Sequence, residues 1–207
     1  MDTIRLDQSD FKPSTSYWRD YVGHHNIADL HANIVFPENI GYVAFPLLRC
    51  TGSVQAPSGT GLLVRDELRV GSFVSVAWNI QAGGKITISG DLSAGWALLG
   101  GDAIEARGKI KAGTSIKAGG TLRAGQGIEA GAGIRSESKI VSGGAITAGE
   151  GVEAGLSIEC SDTLEAGLRI FAGVCLWKEP LEEEKKISCA KLVRGTVAFG
   201  RLEEHGA

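Results

Sequence analysis

Several features that would assign this sequence to a fibrous, secreted or membrane-spanning class are scarce or missing. Its 207 residues include only 5 prolines, and glycine does not recur at every third position, which excludes a collagen triple helix. The net charge of -3 predicts no general affinity for nucleic acid. There is no run of ~18 apolar residues and no apolar core behind a basic N-terminus. We therefore expect a soluble, cytoplasmic protein with no membrane partner.

Cysteine is also sparse, and its spacing carries no metal or disulfide pattern. The four cysteines are Cys50, Cys160, Cys175 and Cys189, and no two of them form a CxxC pair. This spacing argues against a zinc ribbon or a disulfide scaffold. We expect reduced thiols packed within the fold.

What the sequence does contain is a six-residue repeat. In the stretch IKAGTSIKAGGTLRAGQGIEAGAGI, which starts at Ile110, an aliphatic residue occupies every sixth position and Ala follows two places later. The same spacing runs without insertion from Leu62 to Leu176, over 20 consecutive positions that are all Ile, Leu or Val. A helix of 3.6 residues per turn cannot keep such a stripe on one face, whereas residues i and i+2 of a strand point to the same side.

The repeat therefore predicts an all-β fold. Each hexad is expected to form a short strand with two inward residues and one outward residue, followed by a corner at which Gly tolerates the positive φ that a tight corner often needs. Three strands make one coil of ~18 residues, so the repeat predicts a three-sided parallel β-helix of about six to seven coils.

The aliphatic-x-Ala-Gly pattern resembles hexapeptide-type parallel β-helix proteins over about residues 62–176. Acyltransferase hexapeptides place the small residue two positions before the aliphatic one, so their motif is not matched. The spacing is more similar to uncharacterised β-helical proteins of phages and mobile elements and, more distantly, to bactofilin-like, polymer-forming proteins. The first resemblance implies an inhibitor of bacterial defence, of the anti-CRISPR or anti-restriction kind; the second implies a self-assembling scaffold.

The two flanks lack the repeat and divide the chain into three parts. Residues 1–61 are expected to form an N-terminal cap, with one short helix over STSYWRDYVGHH and then strands interrupted by Pro37 and Pro46. Residues 62–176 form the β-helix. Residues 177–207 are expected to form a charged loop and two strands that cap the other end.

The search for chemistry favours a protein without catalytic residues, metal or cofactor. His24, His25 and His31 are the only histidine cluster, and adjacent histidines point in different directions, so we predict no zinc site. The repeat contains no histidine, which a β-helix acyltransferase needs, and no loop insertion, which such an enzyme often has. No GxSxG, phosphate-binding loop or dinucleotide motif is present. We therefore expect that the protein is not an enzyme.

The outward positions of the repeat supply the candidate binding residues. Outward residues 18 apart should stack on one face, and their charges change along the chain from basic around residues 107–139 to acidic around residues 150–184. The predicted partner-binding residues are Lys111, Lys117, Arg123, Arg135, Glu153, Glu159, Glu165, Trp78 and Trp96. The basic band has no interleaved aromatics, so direct nucleic-acid binding is disfavoured.

Large apolar residues gather near the end of the repeat, outside the predicted inward positions. Leu168, Phe171 and Trp177 are expected to be covered by the C-terminal tail or by a second copy in a homodimer. The sequence thus predicts a non-enzymatic binding protein. Its expected partner is a bacterial protein or ribonucleoprotein complex, which it would block by occlusion. The alternative is a bactofilin-like scaffold, which the aromatic-rich N-terminal flank disfavours because an ordered cap would block stacking.

Overall fold

The computed structural model describes residues 1–15 and 17–206 and shows a parallel β-solenoid. Eight strands precede the uninterrupted repeat or lie at its start: β1 (Asp2–Arg5), β2 (Phe11–Pro13), β3 (Trp18–Tyr21), β4 (Ala32–Val35), β5 (Gly41–Phe45), β6 (Leu48–Cys50), β7 (Val54–Ala56) and β8 (Thr60–Val64). A 3-10 turn spans Gln8–Asp10.

Sixteen strands of three residues follow, one for each hexad. They are β9 (Leu68–Val70), β10 (Val74–Val76), β11 (Ile80–Ala82), β12 (Ile86–Ile88), β13 (Leu92–Ala94), β14 (Leu98–Gly100), β15 (Ile104–Ala106), β16 (Ile110–Ala112), β17 (Ile116–Ala118), β18 (Leu122–Ala124), β19 (Ile128–Ala130), β20 (Ile134–Ser136), β21 (Ile140–Ser142), β22 (Ile146–Ala148), β23 (Val152–Ala154) and β24 (Ile158–Cys160). The remaining strands are β25 (Thr163–Ala172), β26 (Lys186–Cys189), β27 (Lys191–Phe199) and β28 (Arg201–Glu204), with a second 3-10 turn at Glu182–Lys185.

Each strand of the repeat pairs in parallel with the strand 18 residues away, so identical positions stack. Ile110, for example, lies beside Ile128, and Lys111 lies beside Glu129. The strands thereby form three faces. The first face contains β6, β9, β12 and every third strand to β24, then β26 and β28; the second contains β7, β10 and their successors; the third contains β8, β11 and theirs.

The predicted inward stripe is confirmed over nearly its whole length. Its first nineteen positions, Leu62 to Ile170, are each at most 1% exposed, and together with the inward Ala residues they form one continuous core. Burying each such aliphatic side chain stabilises the fold by roughly 1.5–3 kcal/mol before chain entropy is counted. The fold class is therefore as the repeat predicts.

The number of turns is larger than predicted, because the solenoid extends beyond the uninterrupted repeat. It has about ten turns rather than six to seven. Strands β4 and β5 already pair in parallel with β7 and β8, so they belong to a turn that precedes Leu62. The six-residue pattern does not include this earlier turn, because its corners are longer. Arg49 and Arg69 stack 20 residues apart rather than 18.

The predicted helix over residues 14–25 is wrong for the described part of that segment, residues 14–15 and 17–25; Ser16 lies outside the described residues. Trp18–Tyr21 is strand β3, which pairs in parallel with β5, and Trp18 lies beside Tyr42. Aromatic residues favour strands when they can pack across a sheet, and here that packing outweighs the local helix signal. Strand β2 then pairs antiparallel with β3 at the outer edge.

Four aromatic rings close the N-terminal end of the core. Phe11, Phe36 and Phe45 are almost fully buried, and Phe11 meets Phe45 edge-on with ring centroids 6.0 Å apart. Tyr21 stacks on Phe45 at 5.0 Å. Residues that the repeat does not explain thus cover the first turn.

The last predicted inward position, Leu176, is wrong: its side chain is 87% exposed. Gly173 adopts a positive φ of 88°, and residues 173–185 leave the solenoid as a loop before β26 resumes the first face. Ile187, rather than Leu176, therefore stacks above Ile158, and Ser188 rather than Trp177 lies above Glu159. The chain thus leaves the solenoid at Gly173, four residues before the charged loop that the sequence predicts from residue 177, and this loop contains no histidine.

The corner glycines act through close approach rather than through positive φ, which corrects the expectation from the sequence. Within residues 62–172, all of which the structure describes, no glycine has a positive φ. One corner instead stacks a glycine in five successive turns: Gly95, Gly113, Gly131, Gly149 and Gly167. A Cβ on any of them would collide with the backbone carbonyl oxygen of the preceding turn. Glycine is therefore needed so that the turns can approach each other.

This packing predicts opposite effects for two glycines of one turn. In Gly131→Ala the new methyl group would collide with the carbonyl of Gly113, and we expect a loss of roughly 2 kcal/mol or more in the free energy of unfolding. In Gly133→Ala the nearest atom is 3.6 Å away, so we expect a neutral effect or a gain of up to about 1 kcal/mol from the less flexible unfolded chain. Chemical unfolding followed by circular dichroism measures both; equal effects would contradict the close-approach explanation.

Candidate binding groove

Two cations of the predicted basic band, Lys111 and Arg135, form ion pairs. On the second face, Lys111 Nζ lies 2.7 Å from Glu129 Oε1 of the next turn. On the third face, Arg135 Nε lies 3.1 Å from Glu137, and its Nη1 lies 3.5 Å from Glu153. These cations therefore have neighbouring carboxylates within the protein.

The predicted charged residues lie on different sides of the solenoid. Lys111 and Glu165 lie on the second face, Lys117, Arg135 and Glu153 on the third, and Arg123 and Glu159 on the first. Three faces of a rod cannot contact one flat surface together. The structure therefore does not gather these residues into one site, although each remains on the outer surface.

The predicted stacking of Trp78 on Trp96 is confirmed. Their rings are nearly parallel, with centroids 5.4 Å apart and an interplanar angle of 14°. Tyr42 lies 5.3 Å from Trp78 on the other side, and Trp18 lies 4.8 Å from Tyr42. The four rings form a column along one corner that joins the N-terminal strands to the repeat, with Trp96 half-exposed at its end.

A concavity lies on the first face, across strands β6 to β18. It has a volume of about 710 Å³, and its lining includes Arg49, Arg69, Arg107 and Arg123. Between these long side chains lie the short residues Thr51, Gly71, Thr87 and Ser89. We call this concavity the arginine groove. It spans four inter-strand steps of ~4.8 Å, or about 19 Å along the rod.

The arginines of the groove differ in their partners. Arg49 is held by Glu67, whose carboxylate accepts hydrogen bonds from its Nη2 at 2.6 Å and its Nε at 2.9 Å. Glu105, the acidic residue between Arg69 and Arg123, is paired with Lys85 at 2.9 Å. Among residues 1–15 and 17–206, no carboxylate lies within ion-pair distance of Arg69, Arg107 or Arg123. The groove therefore presents three guanidinium groups that form no ion pair among the described residues, with Glu105 lying beside Arg123 on the neighbouring strand.

Residues 28–30 of the N-terminal segment form one end of the groove. Leu30 makes a parallel bridge with Cys50, and its backbone N–H donates to the carbonyl oxygen of Arg49. Asp29, next to Leu30, is the acidic residue at this end and lies 3.5 Å from His31. The cap thus contributes one wall of the groove and limits its length.

The sequence predicts two of the groove arginines as neighbours on one face, but not the groove itself. Arg69 and Arg123 belong to one column of outward residues that the 18-residue period defines, and Arg123 is among the predicted binding residues. Arg107 lies at a corner, and Arg49 belongs to the turn with a 20-residue spacing, so the hexad assigns neither of them to that column. The uninterrupted repeat begins at Leu62, so it does not predict the part of the groove formed by residues 28–30 and 49–51.

The region predicted to contact a tail or second copy is only partly covered. Phe171 is half-buried and lies beside Phe199 of β27, whereas Leu168 and Trp177 remain exposed. The loop that carries Trp177 folds back along the rod. Its ring lies close to Gly155, since a Cβ built on Gly155 would be 3.4 Å from the ring. It therefore leaves the last turn uncovered.

The histidines and thiols form no reactive cluster among residues 1–15 and 17–206. The rings of His24 and His25 lie 4.2 Å apart, but within the described chain no three His, Cys, Asp or Glu side chains are arranged to hold a metal ion. Burial raises the pKa of the Cys50 thiol to about 11 and that of Cys160 to about 12. Burial also raises the pKa of Cys189, which packs beside Cys160. Because thiolates are the nucleophilic form, burial lowers the reactivity of these three thiols.

The chain matches no family model, no curated protein and no solved structure. Within the part of the chain that the structure describes, no helix has the length and apolar character to cross a membrane.

The burial of the cysteines predicts a simple labelling pattern. A thiol reagent at neutral pH should modify Cys175 rapidly, because it is the least buried of the four, and should modify Cys50, Cys160 and Cys189 slowly or not at all. The folded protein should therefore take up one equivalent of reagent, against four when it is unfolded. Mass spectrometry after timed alkylation measures this ratio; rapid uptake at Cys160 or Cys189 would contradict the inward placement of those thiols.

Proposed function

We propose that this chain is a non-enzymatic binding protein that holds an acidic segment of a partner protein in the arginine groove. The observation that carries the proposal is the presence of Arg69, Arg107 and Arg123 in one concavity, with no carboxylate of the described residues within ion-pair distance of any of them. A guanidinium group binds a carboxylate or phosphate through two parallel hydrogen bonds, which gives both energy and direction. The rigid strands beneath fix the spacing of the three groups.

A protein segment fits the groove better than a nucleic acid. The groove is about 19 Å long, and Asp29, Glu67 and Glu105 lie in or beside it. A continuous phosphate backbone would pass close to these carboxylates, whereas a short acidic loop can place its charges beside the arginines alone. The net charge of -3 also disfavours attraction to a polyanion at long range.

The more specific hypothesis is that the partner is a bacterial defence complex. It rests on the resemblance, inferred from the repeat alone, to β-helical proteins of phages and mobile elements. Defence complexes of the CRISPR or restriction type are proteins or ribonucleoproteins, and a rod of this kind would block one by occupying its surface in the host cytoplasm. Expression of the chain in bacteria that carry one such system, followed by phage plating, tests this hypothesis; restored plaque formation is the expected result.

The groove proposal predicts that removing the three groove arginines weakens binding and that removing three cations from other faces does not. The triple variant Arg69→Ser, Arg107→Ser, Arg123→Ser should weaken binding of a partner isolated by affinity capture by on the order of a hundredfold or more, since each lost charged hydrogen bond costs about 1.5–3 kcal/mol. A fluorescent decaglutamate peptide serves as a defined probe in anisotropy titrations, and binding to it should weaken in the same variant.

The control removes the same charge from other faces. The variant Lys111→Ser, Lys117→Ser, Arg135→Ser loses three cations of the predicted basic band but leaves the groove intact. We expect it to bind nearly as the natural chain does. If this control loses binding while the groove variant retains it, the interface lies on the second and third faces. Tighter binding of an oligonucleotide than of the acidic peptide would instead favour a nucleic-acid partner.

A self-assembling scaffold is the second candidate function. The observation that favours it is the outer edge of β27 and β28, which pairs with no strand among the described residues. The aromatic cluster at the other end, including Phe11 and Phe45, opposes continuous stacking because it covers the first turn. Electron microscopy of the purified protein separates the two candidates: filaments support the scaffold, and discrete particles support the binding protein.

A further inference from the structure

The first face of the solenoid has a second concavity, which continues the arginine groove toward the C-terminal turns. Its volume is about 450 Å³, and its lining includes Val141, Glu159 and Ser188. Arg123, at the C-terminal end of the arginine groove, lies beside Val141 on the neighbouring strand. The two concavities therefore adjoin, and together they follow the first face from β6 to β26.

A short apolar side chain separates two opposite charges where the concavities meet. Arg123 and Glu159 are the outward residues of β18 and β24, and Val141 lies half-buried between them on β21. Each step to the next strand is ~4.8 Å, so the backbone positions of the two charged residues are about 10 Å apart. The face thus presents a cation and then an anion along the axis of the rod.

Glu159 has no cationic partner in the described part of the chain, where no Lys, Arg or His side chain lies within ion-pair distance of its carboxylate. The Oγ of buried Ser157 donates to its Oε1 at 2.8 Å, which orients the carboxylate. Lys186, which also lines this concavity, is paired with Glu203 at 2.5 Å. The carboxylate of Glu159 can therefore accept a cation from another molecule.

We propose that the partner segment held by the arginine groove continues along the first face in an extended conformation and places a Lys or Arg beside Glu159. This contact rests on the proposed function, because it adds a second anchor to the segment that the three arginines hold. The occupant is an extended polypeptide that carries both charges in a fixed order. Its acidic side chains lie over the groove, and one basic side chain lies beyond them.

The dimensions of the face set the spacing of those charges in the partner. Arg69 and Arg123 are three inter-strand steps apart, or about 14 Å, and Glu159 lies about 10 Å farther along the axis. An extended chain rises about 3.4 Å per residue, so four residues cover roughly the first distance and three cover the second. The matching segment therefore has its acidic residues within about five positions and a basic residue three positions beyond them.

The change of charge sign along the face also sets which way the segment lies. If the segment were acidic throughout, a carboxylate would lie beside Glu159, and like charges facing each other across an interface are costly. If a segment of mixed charge were turned around, its cation would lie beside Arg69 and a carboxylate beside Glu159. Charges are complementary in only one of these arrangements, in which the acidic part of the segment lies toward the N-terminal cap.

Two peptides that differ in one residue test this contact. Both carry a fluorophore at the N-terminus and an amide at the C-terminus, and both contain five glutamates followed by Ser-Gly; one then ends in lysine and the other in glutamate. In anisotropy titrations the natural chain should bind the lysine peptide at least about fivefold more tightly, because attraction to Glu159 replaces repulsion. In Glu159→Lys the preference should reverse, so that the glutamate peptide binds more tightly.

Glu150→Lys supplies the matched control. Glu150 is exposed at the corner between the second and third faces and forms no ion pair among the described residues. This variant changes the net charge by the same amount but leaves the first face intact, so it should keep the preference of the natural chain for the lysine peptide. Misfolding cannot explain the expected reversal in Glu159→Lys, because that variant gains affinity for one of the peptides.

Equal binding of the two peptides by the natural chain overturns the contact at Glu159, and so does an equal shift of preference in Glu159→Lys and Glu150→Lys. Both results leave the proposed function intact when the triple arginine variant still binds the lysine peptide more weakly than the natural chain does. If the natural chain binds neither peptide at about 1 mM, the proposed function fails together with this contact. Both also fail if the triple arginine variant binds the two peptides as tightly as the natural chain.

Discussion

The stacking of each inward aliphatic residue on its equivalent in the next turn is the interaction on which the rest of the structure depends. It fixes the register of every strand, because a shift of one residue would turn the buried stripe outward. It also fixes the spacing between turns, and that spacing leaves no room for a Cβ at Gly113 or Gly131. The outward columns, including the arginines of the groove, take their separation from the same register.

Function in such a rod is separated from stability more cleanly than in a globular domain. The side chains that hold the fold together are inward and nearly invariant in type, so the outward residues between them can vary in charge and size without disturbing the core. The ion pairs between Lys111 and Glu129 and between Arg135 and Glu153 show one use of that freedom, since they relieve charge along a face. The three groove arginines, which form no ion pair among the described residues, show another.

The fold class, the strand boundaries and the composition of the three faces could all be predicted from the sequence, because one period governs them. The failures lie where that period is absent or misleading. Trp18 and Tyr21 lie in a strand because of contacts with Tyr42 and Phe45, which are distant in sequence. Leu176 continues the spacing by coincidence, because Gly173 has already taken the chain out of the solenoid. The groove could not be predicted, because one end of it is formed by a turn with irregular corners. No local sequence pattern predicts where that turn lies in three dimensions.

The three-sided turn has a consequence for how such a rod can change in length. Adding 18 residues to the repeat would move the last turn along the axis by about 4.8 Å without rotating it. Adding a single hexad would instead rotate the last turn by a third of a revolution relative to the arginine groove near the N-terminal end. The number of hexads therefore sets both the length of the rod and the angle between its two ends. A lineage that gains or loses repeats would step through only three relative orientations.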